Sequence, residues 1–255
     1  MQIYVCVKYV PDSAASITII GENRFDESVK FAINPYDEIA VEEAVRVKER
    51  DKNAEVVVMT VGKEAAMSIL RSSLAMGADR GILVRTDARL DSLMTAKALK
   101  AAIEQDGKPD IIFAGKESID SEGMQTMFRL AAGLGMPAAT DVVAFSLNDG
   151  RVTVEREIEA GTREVAEMSI PCLIAAGKGL NTPRYLKITD IMKAKKKEVK
   201  QLDLDSLDFE MPSGGMEILQ LKLAVEKRRC EILKGQPEEV VRQLVERISS
   251  DVKII

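Results

Sequence analysis

The chain of 255 residues contains no histidine. Histidine is the usual general base near neutral pH and the commonest metal ligand. A Ser-His-Asp or Cys-His mechanism is therefore excluded within this chain, and a zinc hydrolase is not expected. Any chemistry in which the protein takes part must come from carboxylates, from a cofactor or from a partner.

Cysteine is scarce as well. Cys6, Cys172 and Cys230 are far apart in the sequence and form no CxxC pair. Their spacing excludes a sequence-evident zinc site or redox dithiol, and we expect the three thiols to be buried as small hydrophobic side chains. We predict neither a metal site nor a catalytic residue in this chain.

The chain also lacks a basic excess and a long apolar run. It has 36 Lys and Arg against 41 Asp and Glu, a net charge of -5 and a pI near 5.2, whereas nucleic-acid-binding proteins usually carry a basic surface. No apolar stretch approaches the length of a membrane span. The first ten residues, MQIYVCVKYV, alternate as in a strand and do not have the pattern of a signal peptide. These features predict a cytoplasmic protein with no nucleic-acid partner and no membrane span.

Predicted strands and helices alternate through the first 145 residues. The segment AEVVVMTV, residues 54–61, is almost wholly apolar, as in a strand buried on both faces. Strands that alternate with helices of this length indicate a parallel sheet with helices on its faces. The predicted strands are 3–10, 54–61, 81–84 and 110–114, and the predicted helices are 36–50, 64–76, 92–105 and 123–134.

The pattern changes after about residue 141. Residues 142–147 and 152–158 flank an Asn-Asp-Gly turn, which favours a hairpin, and two more strands are predicted up to residue 176. We therefore predict an α/β fold with a mainly parallel sheet, flanking helices and antiparallel edge strands. Residues 1–200 are predicted to form a nucleotide-binding domain. Residues 201–255, with a linker at 212–215 and an amphipathic helix at 237–248, are predicted to form an extended arm that contacts a partner.

Two segments are candidates for a ligand site, because parallel sheets bind ligands at the carboxyl ends of their strands. Asn34-Pro35-Tyr36-Asp37 has the composition of a helix start, with Asn as the N-cap and an acidic residue in the first turn. The loop over residues 115–126 brings hydroxyls and an amide to a helix N-terminus, which favours a phosphate. Neither GxGxxG nor GxxxxGK[ST] is present, so a nucleotide site and a capped loop without ligand both stay open.

Six segments, taken together and in order, resemble the beta subunits of electron transfer flavoproteins (ETF). The resemblance implies a heterodimer with a larger alpha subunit (ETF alpha), which holds the FAD that accepts electrons. It also implies that this subunit binds an AMP that does not react, and that the flavin supplies the redox chemistry. The segments are VKYVPD (7–12), INPYDEIAVEEAVRVKE (33–49), LAMGADRGI (74–82), AGKESIDSEGMQT (114–126), VEREIEAG (154–161) and LNTPRYLKITDIMKAKKK (180–197).

The resemblance also assigns residues to two sites. It implies that dehydrogenases, such as acyl-CoA dehydrogenases, dock on residues 179–185 with Leu180 as the anchor, and that an ETF-quinone oxidoreductase is a possible acceptor. Gln125 and Thr126 match the family's phosphate-contacting pair, whereas Met124 replaces an asparagine that is often found there. The implied docking residues are Leu180, Asn181, Pro183 and Tyr185, and the implied AMP-contacting residues are Cys6, Asn34, Pro35, Tyr36, Asp37, Val61, Gly115, Asp120, Gly123, Met124, Gln125 and Thr126.

Three alternatives stay open. Family members that bifurcate electrons bind a second FAD in place of AMP and tend to have DGDTAQV where residues 120–126 are DSEGMQT, so Thr126 and the missing Gly-Asp pair favour AMP. A nucleotide-binding signalling module of similar architecture should lack the KAKKK segment at 193–197 and the long C-terminal tail. A stand-alone enzyme that uses carboxylates should be active without a partner.

Overall fold

A nine-stranded sheet forms the centre of the molecule. The computed structural model describes residues 1–209, 216–224 and 230–252, with only the backbone of residues 251 and 252. The linker predicted at 212–215 lies outside the described residues. The strands are β1 (Gln2–Cys6), β2 (Tyr9–Pro11), β3 (Ile19–Ile20), β4 (Arg24–Phe25), β5 (Phe31–Ile33), β6 (Glu55–Gly62), β7 (Arg80–Arg85), β8 (Ile111–Gly115), β9 (Ala138–Asn148), β10 (Arg151–Glu157), β11 (Arg163–Ser169), β12 (Cys172–Ala176) and β13 (Val199–Asp203).

Helices cover both faces of this sheet. The first two helices pack on one face, where Ala40 and Leu70 join alternate residues of the strands, and the third and fourth pack on the other face through Leu99 and Leu130. The central strands are therefore buried on both sides, as their apolar sequences predicted. The helices are α1 (Pro35–Arg50), α2 (Met67–Met76), α3 (Ser92–Asp106), α4 (Thr126–Leu134), α5 (Ile188–Ala194) and α6 (Pro237–Arg247).

The strand order in the sheet is β11-β10-β9-β12-β8-β1-β6-β7-β13. All neighbours from β9 to β13 in this order are parallel, whereas β10 runs antiparallel to both β9 and β11. The β9–β10 turn has positive φ at Asp149 and Gly150, 49° and 75°, as in a two-residue hairpin turn. The predicted α/β fold class, with antiparallel strands at one edge, is confirmed.

Strands that follow β1 in the chain are added to the sheet first on one side of β1 and then on the other. Strands β6 and β7 lie on one side of β1, and β8 returns to the other side. The connections that follow β1 and β8 therefore leave the sheet in different directions and open a crevice beyond the carboxyl ends of these two strands. This topological switch point is where a parallel sheet of this kind binds ligands.

The first strand is shorter than the predicted strand over residues 3–10. β1 ends at Cys6, and β2 leaves the main sheet to pair antiparallel with β5. The backbone of Lys8 bonds to the turn before α1 instead of to β6: its N–H donates to Asp37, and its carbonyl accepts from the Asn34 N–H at 3.1 Å. The alternating pattern continues through both strands, so it did not reveal this break.

The C-terminal region lies outside the core. α6 buries none of its residues, and the exposed fractions of Val241, Leu244 and Val245 are 59%, 48% and 49%. β13 runs across the predicted domain boundary at residue 200, and Leu204 and Leu207 are still buried. The chain therefore remains part of the α/β body beyond residue 200.

Two further findings concern the whole described part of the chain. None of its helices is long and apolar enough to cross a membrane. Across residues 1–209, 216–224 and 230–250, no three His, Cys, Asp or Glu side chains are grouped so that they could hold a metal ion.

Of the cysteines, Cys172 is buried and Cys6 partly buried, but Cys230 is exposed, so the expectation of three buried thiols is wrong for Cys230.

Candidate functional site

One carboxylate joins the ends of the two strands that flank the switch point. Asp37 is only 5% exposed. Its Oδ2 accepts the Lys8 N–H at 2.7 Å, and its Oδ1 accepts the Gly115 N–H at 3.0 Å. β1 and β8 are neighbours, so Asp37 fixes the distance between the connections that leave them.

Asn34 stands at the predicted N-cap position, with Pro35 at N1, but the prediction that its side chain caps the helix is wrong. The residue is 1% exposed, and its side chain makes no capping hydrogen bond to a backbone N–H of α1. Its Nδ2 donates to the Glu117 carbonyl oxygen at 2.8 Å, and its Oδ1 accepts the Ile119 N–H at 3.2 Å. The amide therefore binds the 115–126 loop through both of its polar atoms, and the loop replaces the helix as its partner.

Gly115 lies against the same turn, where a side chain would not fit. A Cβ at this position would lie 2.4 Å from Asp37 Oδ1 and 2.7 Å from the Cβ of Tyr36. Real Cβ atoms do not approach other atoms so closely, and both neighbours belong to the first turn of α1. Glycine is therefore required for the 115–126 loop to pass this close to α1.

Lys8 holds the middle of the 115–126 loop. Its Nζ lies 2.7 Å from Asp120 Oδ1, 3.1 Å from Ser118 Oγ and 3.3 Å from Ser121 Oγ. Burial acts to raise the pKa of Asp120, but the Lys8 ammonium outweighs it and holds that pKa below its usual range. The negative charge of Asp120, which would repel a phosphate at this loop, is thus paired with Lys8 inside the loop.

The helix that follows this loop starts three residues later than predicted. α4 begins at Thr126, and the two residues Glu122 and Met124 have φ of 47° and 50°. These left-handed angles interrupt a right-handed helix, so Gly123 and Met124 belong to the loop. Gln125 precedes the helix directly, and its Oε1 accepts a hydrogen bond from Arg129 at 2.6 Å. The N–H groups in the first turn of α4 have no hydrogen-bond partner within the helix. This turn begins at Thr126, which belongs to the predicted phosphate-contacting pair.

The predicted nucleotide-contacting residues divide into a buried frame and a more exposed rim. The frame consists of Asn34, Asp37 and Gly115, all buried. In the rim, Cys6 ends β1, and burial followed by the nearby Asp37 carboxylate raises the pKa of its thiol to about 12, which keeps it neutral. The partly or fully exposed rim residues are Cys6, Pro35, Tyr36, Val61, Asp120, Gly123, Met124, Gln125 and Thr126. Frame and rim together surround the carboxyl ends of β1, β6 and β8.

Two lysines of the site were not among the predicted site residues. Lys8 reaches Asp120, and Lys116 Nζ lies 3.1 Å from Asp141 Oδ2 and 5.4 Å from the centre of the Tyr36 ring. Lys116 directly follows the end of β8, and Lys8 lies two residues after the end of β1. Each lysine is paired with an aspartate, so the two lysines neutralise acidic side chains beside the crevice.

The predicted docking residues do not share one environment. Leu180 is partly buried and packs against the core cluster beneath α1. Asn181 also points inward, since its Nδ2 donates to the Ile39 carbonyl oxygen at 3.0 Å, and Pro183 is partly buried. Tyr185, by contrast, is 98% exposed. It begins a run of exposed apolar side chains, which consists of Tyr185, Leu186, Ile188, Ile191 and Met192.

The sheet with a crevice at its switch point defines the class: an α/β protein of the type that binds ligands at the carboxyl ends of parallel strands. The sequence matches the family model for the electron transfer flavoprotein domain over residues 23–207. The chain belongs to the electron transfer flavoprotein family, among its beta subunits. The resemblance found in the sequence is thereby confirmed, and with it a role in electron transfer.

Relatives similar to this chain cover most of its length. A protein named electron transfer flavoprotein subunit beta from Dictyostelium discoideum is 40% identical over 212 residues, which is 82% of this chain and 84% of the relative. The subunit beta of Syntrophomonas wolfei is 35% identical over 254 residues, 100% and 98% of the two chains. The mitochondrial subunit beta of Arabidopsis thaliana is 36% identical over 248 residues, 96% and 97%. The range matched by the family model includes residues 193–197, the KAKKK segment.

Proposed function

We propose that this chain forms a heterodimer with ETF alpha, binds AMP in the switch-point crevice and carries no catalytic residue of its own. The observation that supports this most is the buried frame. Asp37 binds the N–H groups of Lys8 and Gly115 on the two sides of the crevice, and Asn34 binds the loop after Gly115. Because Gly115 has no side chain, this loop can approach α1. FAD, held mainly by the alpha subunit, supplies the electron-accepting chemistry when bound. This chain contributes binding and orientation.

The crevice has groups suited to each part of AMP. The phosphate would lie at the start of α4, where backbone N–H groups and the positive end of the helix favour an anion. The Gln125 amide and the Thr126 hydroxyl can donate hydrogen bonds to it. The neutral Cys6 thiol and the Val61 side chain, at the ends of β1 and β6, offer a less polar surface for the adenine.

A second FAD in place of AMP is the other candidate for this crevice, as in family members that bifurcate electrons. The loop here lacks the Gly-Asp pair that those members tend to have, and it carries Thr126 at the start of α4. Both features support AMP. The two candidates differ in the nucleotides that the purified heterodimer would release.

The C-terminal arm is proposed to contact the alpha subunit. Met216 and Leu219 are 66% and 75% exposed, and α6 exposes three further aliphatic side chains. Exposed apolar groups of this number usually mark an interface. The arm touches the body of this chain at Leu221, whose N–H donates to the Glu22 carbonyl oxygen at 2.7 Å.

The cytoplasmic location predicted from the sequence stays a prediction, because the relatives include a mitochondrial protein.

Dehydrogenases, such as those of acyl-CoA, are proposed to dock on the exposed run from Tyr185 to Met192 and to pass electrons to the FAD. An ETF-quinone oxidoreductase is proposed as one acceptor. The apolar character and the exposure of this run support docking, since apolar anchors supply most of the binding energy at protein interfaces. Leu180 precedes the run in the chain and packs against the core.

Replacing Tyr185 with alanine is expected to slow electron transfer from a cognate dehydrogenase about tenfold, because a lost aromatic contact of about 1.4 kcal/mol is one decade. The melting temperature should not change, since Tyr185 is 98% exposed. Leu180→Ala should slow transfer and also lower stability by about 1–2 kcal/mol, because Leu180 packs against the core. Steady-state reduction of the heterodimer and thermal unfolding measure both effects.

The control for these variants is Val165→Ala. Val165 is 66% exposed and lies on β11, away in the sequence from the exposed run at residues 185–192. We therefore expect Val165→Ala to leave transfer from the dehydrogenase unchanged. Unchanged transfer in Tyr185→Ala with every dehydrogenase tested would place the docking surface elsewhere.

A further inference from the structure

Arg184 binds the docking segment, residues 179–185, to helix α1. Its Nε lies 2.8 Å from Glu42 Oε2 and its Nη2 lies 3.1 Å from Glu42 Oε1, so the guanidinium binds both oxygens of one carboxylate. Its backbone N–H donates to Glu42 as well, at 3.2 Å, and its Nη1 lies 2.7 Å from Glu49 Oε1. Main chain and side chain of one residue are thus both fixed on α1.

Glu42 and its neighbour Glu43 are deeply buried, whereas Glu49 is about half exposed. Glu42 and Glu43 are each 3% exposed. Burial acts to raise the pKa of Glu42, but Arg184 and then Arg46 outweigh it and hold that pKa below its usual range. Asn181 binds the second carboxylate, with its Nδ2 2.9 Å from Glu43 Oε2. Two buried acids of α1 are therefore matched by polar groups from the docking segment.

We propose that Arg184 and Asn181, bound to Glu42 and Glu43, form a clamp that holds the docking segment in the shape that presents Tyr185 to a dehydrogenase. This inference rests on the docking function proposed above. Arg184 directly precedes Tyr185, so the clamp fixes the backbone at the residue where the exposed run begins. The clamp residues act by positioning and do not themselves react.

The clamp also shapes the surface beside Tyr185. A cavity of about 220 Å³ lies there, and Arg184 forms part of its wall together with Leu74, Gly77 and Lys193. A guanidinium that left Glu42 would change both this wall and the direction of Tyr185. The pairing of Arg184 with Glu42 and Glu49 therefore controls the shape of the surface that a partner would contact.

One rigid helix connects this clamp to the nucleotide crevice. The first turn of α1 contains Asp37, which binds the ends of β1 and β8, and the next turns contain Glu42 and Glu43. The docking segment is thus fixed to the same element that frames the crevice. Its position relative to the crevice depends on these few bonds.

The test compares the wild-type heterodimer with Arg184→Met and with the double variant Glu42→Gln/Arg184→Met. The single variant leaves a buried carboxylate short of a partner and should melt at a lower temperature, whereas the double variant removes that charge and should recover most of the loss. In both variants the KM for the dehydrogenase should rise about tenfold, with the maximal rate within about twofold of wild type. FAD and nucleotide contents should stay as in wild type.

Hydrogen exchange provides a readout that does not depend on activity. Amides of residues 178–187 should exchange faster in both variants, while those in the second half of α1 keep their protection. Arg85→Met serves as the control, because it removes another arginine–carboxylate pair, Arg85 with Asp203 at 2.7 Å, on strands β7 and β13. It should leave the KM and the exchange of 178–187 unchanged.

Two results would overturn the clamp. One is a double variant that regains the wild-type KM together with the wild-type melting temperature. This result would mean that Arg184 stabilises the fold but does not position the docking segment. The other is unchanged exchange of residues 178–187. If the wild-type heterodimer takes electrons from no dehydrogenase, the proposed docking function fails, and the exchange measurement still decides whether Arg184 fixes the segment.

Discussion

Replacing Gly115 with alanine should empty the crevice of its nucleotide and destabilise the chain by about 1–3 kcal/mol, as overpacking of a tight site does. The added methyl group would lie 2.4 Å from Asp37 Oδ1 and 2.7 Å from the Cβ of Tyr36. It can be accommodated only if the 115–126 loop moves away from α1. That movement would break the bonds of Asn34 to Glu117 and Ile119 and displace Gln125 and Thr126 from the phosphate.

The nucleotide content of the purified heterodimer and its melting temperature measure this effect. Gly133→Ala is the matched control, because a Cβ at Gly133 would meet only the flexible Lys100 side chain, at 3.3 Å. Gly133 lies inside α4, so alanine there should leave the nucleotide in place and stabilise the helix by up to about 1 kcal/mol. Full nucleotide content in Gly115→Ala would show that the frame does not depend on this close approach.

The stability of the protein should depend on pH through Asp37. Burial raises the pKa of Asp37 to about 7, although hydrogen bonds from Asn34, Lys8 and Gly115 act in the opposite direction. In the unfolded chain an aspartate titrates near pH 4. The folded state thus holds the proton more tightly, so the contribution of Asp37 to stability is complete below about pH 4 and is lost as the pH rises through about 7. The difference between a pKa of about 7 in the folded chain and one near 4 in the unfolded chain corresponds to roughly 4 kcal/mol.

Thermal unfolding of the heterodimer from pH 4 to 8, with Asp37→Asn as the comparison, tests this dependence. The wild-type melting temperature should fall relative to that of the variant by on the order of 10 °C across this range. Asp120→Asn is the control of opposite sign, since the pKa of Asp120 is lowered; its contribution should be lost as the pH falls. Parallel profiles for wild type and Asp37→Asn would mean that Asp37 titrates as an ordinary aspartate.

The sheet could be predicted because its signals are local. The apolar run AEVVVMTV became β6 within one residue at each end, and the Asp149-Gly150 turn joins β9 and β10 as expected. Each signal depends on neighbouring residues, which a single sequence shows. The strand order was not predicted, because it requires knowing on which side of β1 each strand returns.

The bonds of the candidate site could not be predicted in this way. Asn34 binds the backbone of Glu117, 83 residues away, and Asp37 binds the Gly115 N–H, 78 residues away. Local rules gave both residues roles at a helix start, which is where they lie in the chain. Their actual partners come from a strand that becomes a neighbour only through the reversal at β1.

The docking segment shows the same limit. The resemblance implied docking on residues 179–185, with Leu180 as the anchor. The segment does lie on the surface, but Leu180 packs inward and Tyr185 is the exposed side chain. The direction of each side chain is set by the buried carboxylates of α1, which the composition of the segment does not reveal.

The central claim is that this chain binds AMP in the crevice between β1 and β8. Denaturing the purified heterodimer and identifying the released nucleotides by mass spectrometry tests it most directly. We predict AMP and FAD in equal amounts, with AMP lost and FAD kept in Gly115→Ala. FAD at twice the expected amount without AMP would show that a second flavin occupies the crevice, and FAD alone at one equivalent would contradict the claim that this chain binds a nucleotide.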